Sequence, residues 1–137
     1  MMASVAFNNL KVLRDATLPL APFTLIIGPN GSGKSTVFQA LLWLGDQGHL
    51  TVSSVASVGA DESSAVSVAA RWAPPHDQGR FIRTWRKNHR PQDQWDGLNS
   101  RQTAVLQPVL GQLKVYSLAA DAIASEVSLN PRQQMLP

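Results

Sequence analysis

The chain has 137 residues, which suits a single domain of roughly 100–200 residues. Because 44% of its residues are apolar and 15% are charged, it can bury a core, and disorder is excluded as the default class. The formal charge of +3 is compatible with nucleic acid nearby but does not indicate it, and the lack of cysteine excludes disulfide bonds, zinc knuckles and thiol nucleophiles.

The N-terminal residues predict two short extended segments. Residues 4–13 alternate loosely and contain the turn-prone pair Asn8-Asn9, which predicts a strand followed by a bend. Residues 15–20 predict a second strand at a sheet edge, because Pro19 lacks the N–H of a ladder hydrogen bond. Charged residues interrupt this region before a signal-peptide core can form, and no window reaches the roughly 18–20 apolar residues of a membrane helix. We therefore expect a cytoplasmic protein with no membrane partner.

A buried strand and a helix are predicted next. Residues 23–27 are apolar at almost every position, which is typical of a central strand covered on both faces. Residues 34–44 carry apolar side chains at helical spacing, and Gly45 supplies a C-terminal stop.

The middle of the chain predicts antiparallel β structure. Residues 45–64 are small and polar, which indicates a loop or a weak edge strand. Residues 65–72 and 80–87 flank a turn-rich connector and predict an antiparallel hairpin with a long loop. Residues 89–100 are predicted to form a loop.

The last part of the chain predicts a helix, a strand and a tail. Residues 100–113 form a helix candidate that Pro108 should kink or break. Residues 114–118 predict a short strand, and residues 119–127 one or two helical turns.

One motif carries clear chemistry. Residues 25–36, LIIGPNGSGKST, satisfy the pattern G-x-x-x-x-G-K-[ST], whose glycines let successive N–H groups surround a phosphate at the start of a helix. Lys34 would reach the β and γ phosphates of ATP, the Ser35 hydroxyl would join the Mg²⁺ shell, and Thr36 would lie near the α phosphate. The alternative is a glycine-rich turn that matches this pattern by chance, but the predicted strand before it and the predicted helix after it argue against that alternative. The predicted nucleotide-binding residues are Gly28, Pro29, Asn30, Gly31, Ser32, Gly33, Lys34, Ser35 and Thr36.

The residues before this motif narrow the class of protein. Residues 8–36, NNLKVLRDATLPLAPFTLIIGPNGSGKST, resemble the start of the ABC-type ATPase heads of the SMC, RecF and OLD-like AAA ATPases. Such heads open with an asparagine–aromatic–basic stretch, a slot that Asn9-Leu10-Lys11 would fill with leucine for the aromatic residue. The resemblance makes Asn9 and Lys11 candidate additional nucleotide contacts, while Val12 replaces the serine often found next. It is specific over residues 5–44 and only topological over residues 65–118.

The resemblance implies an α/β P-loop NTPase fold, in the form of a partial ABC-ATPase head with an antiparallel β lobe beside a parallel core. We expect one incomplete ATPase domain over residues 1–137. Residues 1–45 would hold the P-loop strand, loop and helix with the preceding strands. Residues 46–100 would form the antiparallel lobe, and residues 101–137 a helix, a strand and a tail.

Hydrolysis in this family needs acidic residues after a second strand and a signature motif from a partner head. Asp61-Glu62 and Asp121 are weak matches to the acidic site, and no signature occurs. We therefore expect an ATP-binding half-site that is poorly stable alone and lacks its catalytic half. The partner would be a second ATPase head, either a homodimer mate or a missing C-terminal half. Two alternatives stay open: a small P-loop kinase acting on a metabolite, and a non-catalytic binding subunit.

Basic and aromatic residues between 80 and 90 raise DNA as a further partner. On a strand, Phe81, Arg83 and Trp85 would share one face, which does not gather the charges into a stripe. A solvated hairpin with core aromatics is the alternative. If the hairpin binds DNA, reversing Arg83 and Arg86 to glutamate should weaken binding and reduce its salt dependence. The three histidines, scattered along the chain, are interpreted as surface residues, and the four tryptophans as packing residues.

Overall fold

The structure, a computed structural model, describes residues 1–45, 56 and 64–113. Five strands and two helices lie in this part of the chain. In order they are β1 (Met2–Leu10), β2 (Leu13–Pro19), α1 (Lys34–Gly45), β3 (Val66–Trp72), β4 (Arg80–Trp85), β5 (Gln92–Asp96) and α2 (Ser100–Gly111).

The five strands form one antiparallel sheet in the order β2-β1-β3-β4-β5. A two-residue turn joins β1 to β2, and its first residue, Lys11, has a φ of 48° in the left-handed region. The β2 strand lies at the sheet edge, which confirms the position predicted from Pro19. At an edge, one side of the strand has no neighbour, so the N–H that proline lacks is not needed for a ladder hydrogen bond. The predicted hairpin of residues 65–72 and 80–87 is likewise confirmed by β3 and β4.

One face of the sheet forms the core together with the two helices. Side chains alternate between buried and partly exposed along β3 and β4, as a half-buried strand requires. At one end Trp95 stacks on Trp72 at 6.2 Å between ring centroids and meets Phe81 at 4.8 Å. The helices contribute Val37, Ala40, Leu44, Leu106 and Leu110 to the same cluster. Burial of each large side chain contributes about 1.5–3 kcal/mol.

Helix α2 begins at a capping box. The Asn99 side chain accepts from the Gln102 backbone N–H, and the Gln102 side chain accepts from the Asn99 N–H, both at 2.9 Å. The helix runs on to Gly111 through Pro108, so the predicted break does not occur. Pro108 and Ala104, whose carbonyl loses its usual donor, are both exposed, and water can solvate that carbonyl.

At two places the described residues differ from the predicted strands and loops. Residues 23–27 belong to no strand, and Phe23, Leu25 and Ile27 are 81%, 71% and 82% exposed. A central strand needs a neighbour on each side, and none of the described strands pairs with this segment. Conversely, Gln92–Asp96 is strand β5 within the predicted loop, because its pairing with β4 outweighs its polar composition.

Several predicted segments lie outside the described residues. They include nearly all of residues 45–64, the predicted strand 114–118 and the helical turns 119–127. The candidate acidic residues Asp61, Glu62 and Asp121 fall there too. Within residues 45–64, Ala56 forms an isolated bridge with Leu10. Neither described helix is long and apolar enough to span a membrane.

Candidate phosphate-binding site

The glycine loop, residues 28–33, turns the chain from an extended segment into α1. Gly31 has a φ of +81° and Gly33 a φ of +98°, a region that costs an L-residue with a side chain about 1–2 kcal/mol. The Val37 N–H then donates to the Gly33 carbonyl at 3.0 Å and closes the first helical turn. The glycines therefore stand where the backbone needs them.

The glycine loop packs closely against the β1–β2 turn. A Cβ atom placed on Gly33 would lie 2.9 Å from Val12 Cγ2 and 3.0 Å from Leu13 Cδ2. On Gly28 it would lie 2.8 Å from Ser32 Oγ. The turn that follows β1 thus supports the loop from one side.

The Lys34 ammonium lies on the concave side of the glycine loop. Its Nζ atom donates to the carbonyls of Gly28 and of Pro29, the latter at 2.7 Å, and lies 3.4 Å from Ser32 Oγ. An ammonium has three donors, so neutral oxygens of the loop satisfy the charge here. The loop therefore gathers a cation and the start of a helix at one point.

An open cleft of about 350 Å³ lies beside this cation. The Ser35 side chain is exposed there and Thr36 is buried. The first N–H groups of a helix lack intrahelical acceptors and carry partial positive charge, so the cleft is suited to an anion. The lining residues are Val12, Asn30, Gly31, Gly33, Lys34, Ser35 and Thr36.

The two additional candidates, Asn9 and Lys11, contact protein groups outside this cleft. Asn9 Nδ2 donates to the Ala65 carbonyl at 3.2 Å, which ties β1 to the start of β3. Lys11 Nζ donates to Gln39 Oε1 at 2.8 Å and lies 5.8 Å from the ring centroid of Trp43. Both side chains thus hold the strands and α1 together, and neither lines the cleft.

Val12 and Arg83 have roles that sequence reasoning missed. Val12, which stands where the resemblance has a serine, lines the cleft. Arg83 does share a face with Phe81 and Trp85, but that face is the core, and Arg83 is only 3% exposed. The interpretation of Arg83 as a phosphate-backbone contact is therefore wrong, since its guanidinium is used inside the protein.

The remaining basic, histidine and tryptophan candidates differ in how exposed their side chains are. Among the basic residues, Arg86, Lys87 and Arg90 are exposed in the turn between β4 and β5 together with His89. His76 is half-buried, and His49 lies outside the described residues. The tryptophans pack as predicted, with Trp43 and Trp85 in an edge contact at 6.2 Å. None of the described side chains in this group lines the cleft.

Comparisons with known proteins give one family model and two similar proteins. Residues 4–46 match the family model described as an AAA domain. The OLD nuclease of Thermus scotoductus is 35% identical over 89 residues, and the alignment covers 59% of this chain and 16% of that protein. The Old nuclease of Escherichia phage P2 is 35% identical over 54 residues, covering 39% of this chain and 9% of that protein.

A solved structure has a similar fold. The chain is similar to the recombination mediator protein RecF in its ATP complex, with a TM-score of 0.55 and 17% identity over 74% of this chain and 29% of that chain. The chain thus spans less than a third of the length of each of these proteins.

Proposed function

Because the chain is similar to the N-terminal part of an SMC/RecF/OLD-like AAA ATPase, we propose that it binds ATP with Mg²⁺ through residues 28–36. One observation carries the proposal. The left-handed glycine loop encloses the Lys34 ammonium at the start of α1, beside an open cleft. A Cβ at Gly33 would meet the side chains of Val12 and Leu13, so the loop backbone packs directly against this part of the sheet, which holds the loop in place.

Each residue has a distinct part in this proposal. Loop N–H groups and the Lys34 ammonium would bind the β and γ phosphates, with phosphate oxygens replacing the carbonyls of Gly28 and Pro29 around Nζ. The Ser35 hydroxyl, which is exposed in the cleft, would join the Mg²⁺ shell. Thr36 would donate near the α phosphate, and Val12 offers an apolar contact for the nucleoside.

Hydrolysis would depend on groups beyond this half-site. In P-loop ATPases a carboxylate binds the Mg²⁺ and another polar group orients the attacking water. Among the described residues that line the cleft, none carries a carboxylate. We therefore propose that binding proceeds in this chain alone, and that turnover requires acidic and signature residues brought by a second ATPase head, either a homodimer mate or a C-terminal half. DNA is a further proposed partner, through the exposed residues Arg86, Lys87 and Arg90.

We also infer a parallel core beside the antiparallel sheet, within one ATPase domain over residues 1–137. The exposure of Phe23, Leu25 and Ile27 supports this, because neighbouring strands would bury these apolar side chains. Residues 114–118 would supply one neighbour. Since the chain has no cysteine, a Leu25→Cys variant combined in turn with cysteine at 115, 116 or 117 tests the pairing by disulfide formation. No cross-link in any of the three would contradict it.

The function is tested by titration of a fluorescent ATP analogue with Mg²⁺. Hydrogen bonds to charged groups are worth about 1.5–3 kcal/mol, so Lys34→Ala should weaken binding by about tenfold or more. Lys87→Ala is the matched control, because it removes an exposed lysine from the β4–β5 turn, and it should leave the affinity within about twofold. Equal affinities of the parent and Lys34→Ala would contradict the proposal. ADP release that depends on an added metabolite would indicate a kinase instead.

A further inference from the structure

The buried guanidinium of Arg83 links three elements of the fold. Its position on β4 is directly opposite Asp93 on β5. Nε donates to Asp93 Oδ1 at 2.7 Å and Nη2 to Oδ2 at 2.8 Å, so the two planar groups meet through two parallel hydrogen bonds. This geometry fixes the guanidinium plane as well as its charge.

The third arm of the guanidinium reaches α1. Nη1 donates to the carbonyl of Trp43 and, at 3.2 Å, to that of Leu44. These carbonyls belong to the last turn of the helix, where carbonyl groups lack intrahelical donors and carry partial negative charge. Arg83 therefore binds the C-terminus of α1 to two strands of the sheet.

The opposite end of the same helix carries the glycine loop. Helix α1 has 12 residues, so it is about 18 Å long and moves as one rod. Gly33, packed on Val12 and Leu13, fixes its start, and Arg83 fixes its end. A tilt of roughly 6° about the middle would move the first residue by about 1 Å, an error that can cost a binding or catalytic site up to about a hundredfold.

We infer that Arg83, oriented by Asp93, is a positioning residue for the phosphate site. It sets the direction of α1, and so the place of the Lys34 ammonium and the loop N–H groups, without touching the nucleotide. The inference rests on the proposed ATP binding for its functional effect. Lysine cannot replace arginine here, because an ammonium has no planar fork to meet Asp93 and the two carbonyls together.

The first test is nucleotide affinity of the full chain, well below the unfolding midpoint of every variant. Arg83→Lys should weaken binding of the ATP analogue about tenfold, and Asp93→Asn should weaken it in the same direction. The control is Arg80→Lys, which alters the neighbouring Arg80–Asp96 ion pair on the other face, where the Arg80 side chain is 44% exposed. It should stay within about twofold of the parent.

A double-mutant cycle separates positioning from a general loss of structure. If Arg83 acts through the loop, Arg83→Lys should weaken binding much less in a Lys34→Ala background than in the parent. A folded Arg83→Lys protein that binds as tightly as Arg80→Lys would overturn the inference, as would fully additive losses in the cycle.

The second test does not depend on ATP. Because the chain lacks cysteine, spin labels can be attached at Thr17→Cys on β2 and Leu42→Cys on α1, both exposed positions. Their distance distribution should broaden with Arg83→Lys and stay narrow with Arg80→Lys. An unchanged distribution in Arg83→Lys would overturn the positioning role. Broadening in a chain whose parent binds no ATP would contradict the proposed function and keep Arg83 as the residue that orients α1.

Discussion

Adding one methyl group at Gly33 should destabilise the protein more than the same change at Gly31 or Gly111. In Gly33→Ala the φ of +98° costs about 1–2 kcal/mol for a residue with a Cβ. The methyl also meets Val12 Cγ2 at 2.9 Å and Leu13 Cδ2 at 3.0 Å, an overpacking that adds about 1 kcal/mol because exposed Val12 can yield. The expected total is about 2–3 kcal/mol of unfolding free energy.

Two matched variants separate the backbone strain from the overpacking in the free-energy loss of Gly33→Ala. Gly31→Ala has the strained φ of +81° but nothing within 4 Å, so it should lose only the strain, about 1–2 kcal/mol. Gly111→Ala, at the end of α2, has neither strain nor contact and should be neutral or stabilising by up to about 1 kcal/mol. Urea unfolding followed by tryptophan fluorescence gives the three free energies. Equal values for all three variants would refute the account of the loop as a strained, closely packed turn.

Three further predictions concern the sheet and α2. Phe81→Ala, at a fully buried position, should lower the free energy of unfolding by about 3–5 kcal/mol in the same urea assay, and a loss below about 1 kcal/mol would contradict the core described here. Asn99→Ala should cost about 0.5–2 kcal/mol by removing the cap of α2, with a drop in helical circular dichroism on mild heating; unchanged stability would mean that the cap is not needed. Arg83→Glu should cost about 3–5 kcal/mol, because it removes a buried guanidinium and places a buried carboxylate next to Asp93. Arg86→Glu, at an exposed position, should stay within about 0.5 kcal/mol, and similar losses for both reversals would refute the difference in burial.

The elements that could be predicted are those whose signals are local. The helix that begins at Lys34 follows from apolar spacing and a glycine stop, and the hairpin of β3 and β4 follows from alternation around a turn-rich connector. The phosphate-binding motif could be predicted for the same reason, since it consists of the nine consecutive residues 28–36. That these residues bind a nucleotide stays a prediction.

The features that could not be predicted depend on partners distant in sequence. Strand β5 is polar along most of its length, and it forms because Asp93 and Trp95 meet Arg83 and Phe81 on β4. Alternation placed Arg83 on the correct face, yet nothing in the sequence indicates that the carbonyls at the end of α1 lie within its reach. The apolar segment 23–27 shows the opposite case. Its composition predicts burial, but the sequence does not indicate which strand would cover it.

The order of strands also bears on how the chain folds and how it can vary. All neighbours in the sheet are joined by short connections except β1 and β3, which pair across everything between Asn8 and Ser67. That connection contains β2, the glycine loop and α1. The β1–β2 hairpin and the β3–β4–β5 unit have local contacts, so each can form early, before β1 pairs with β3. The entropy of closure grows only with the logarithm of length, and doubling the connection would cost about 0.6 kcal/mol. Insertions between α1 and β3 should therefore be tolerated, provided that Arg83 still reaches the last turn of the helix.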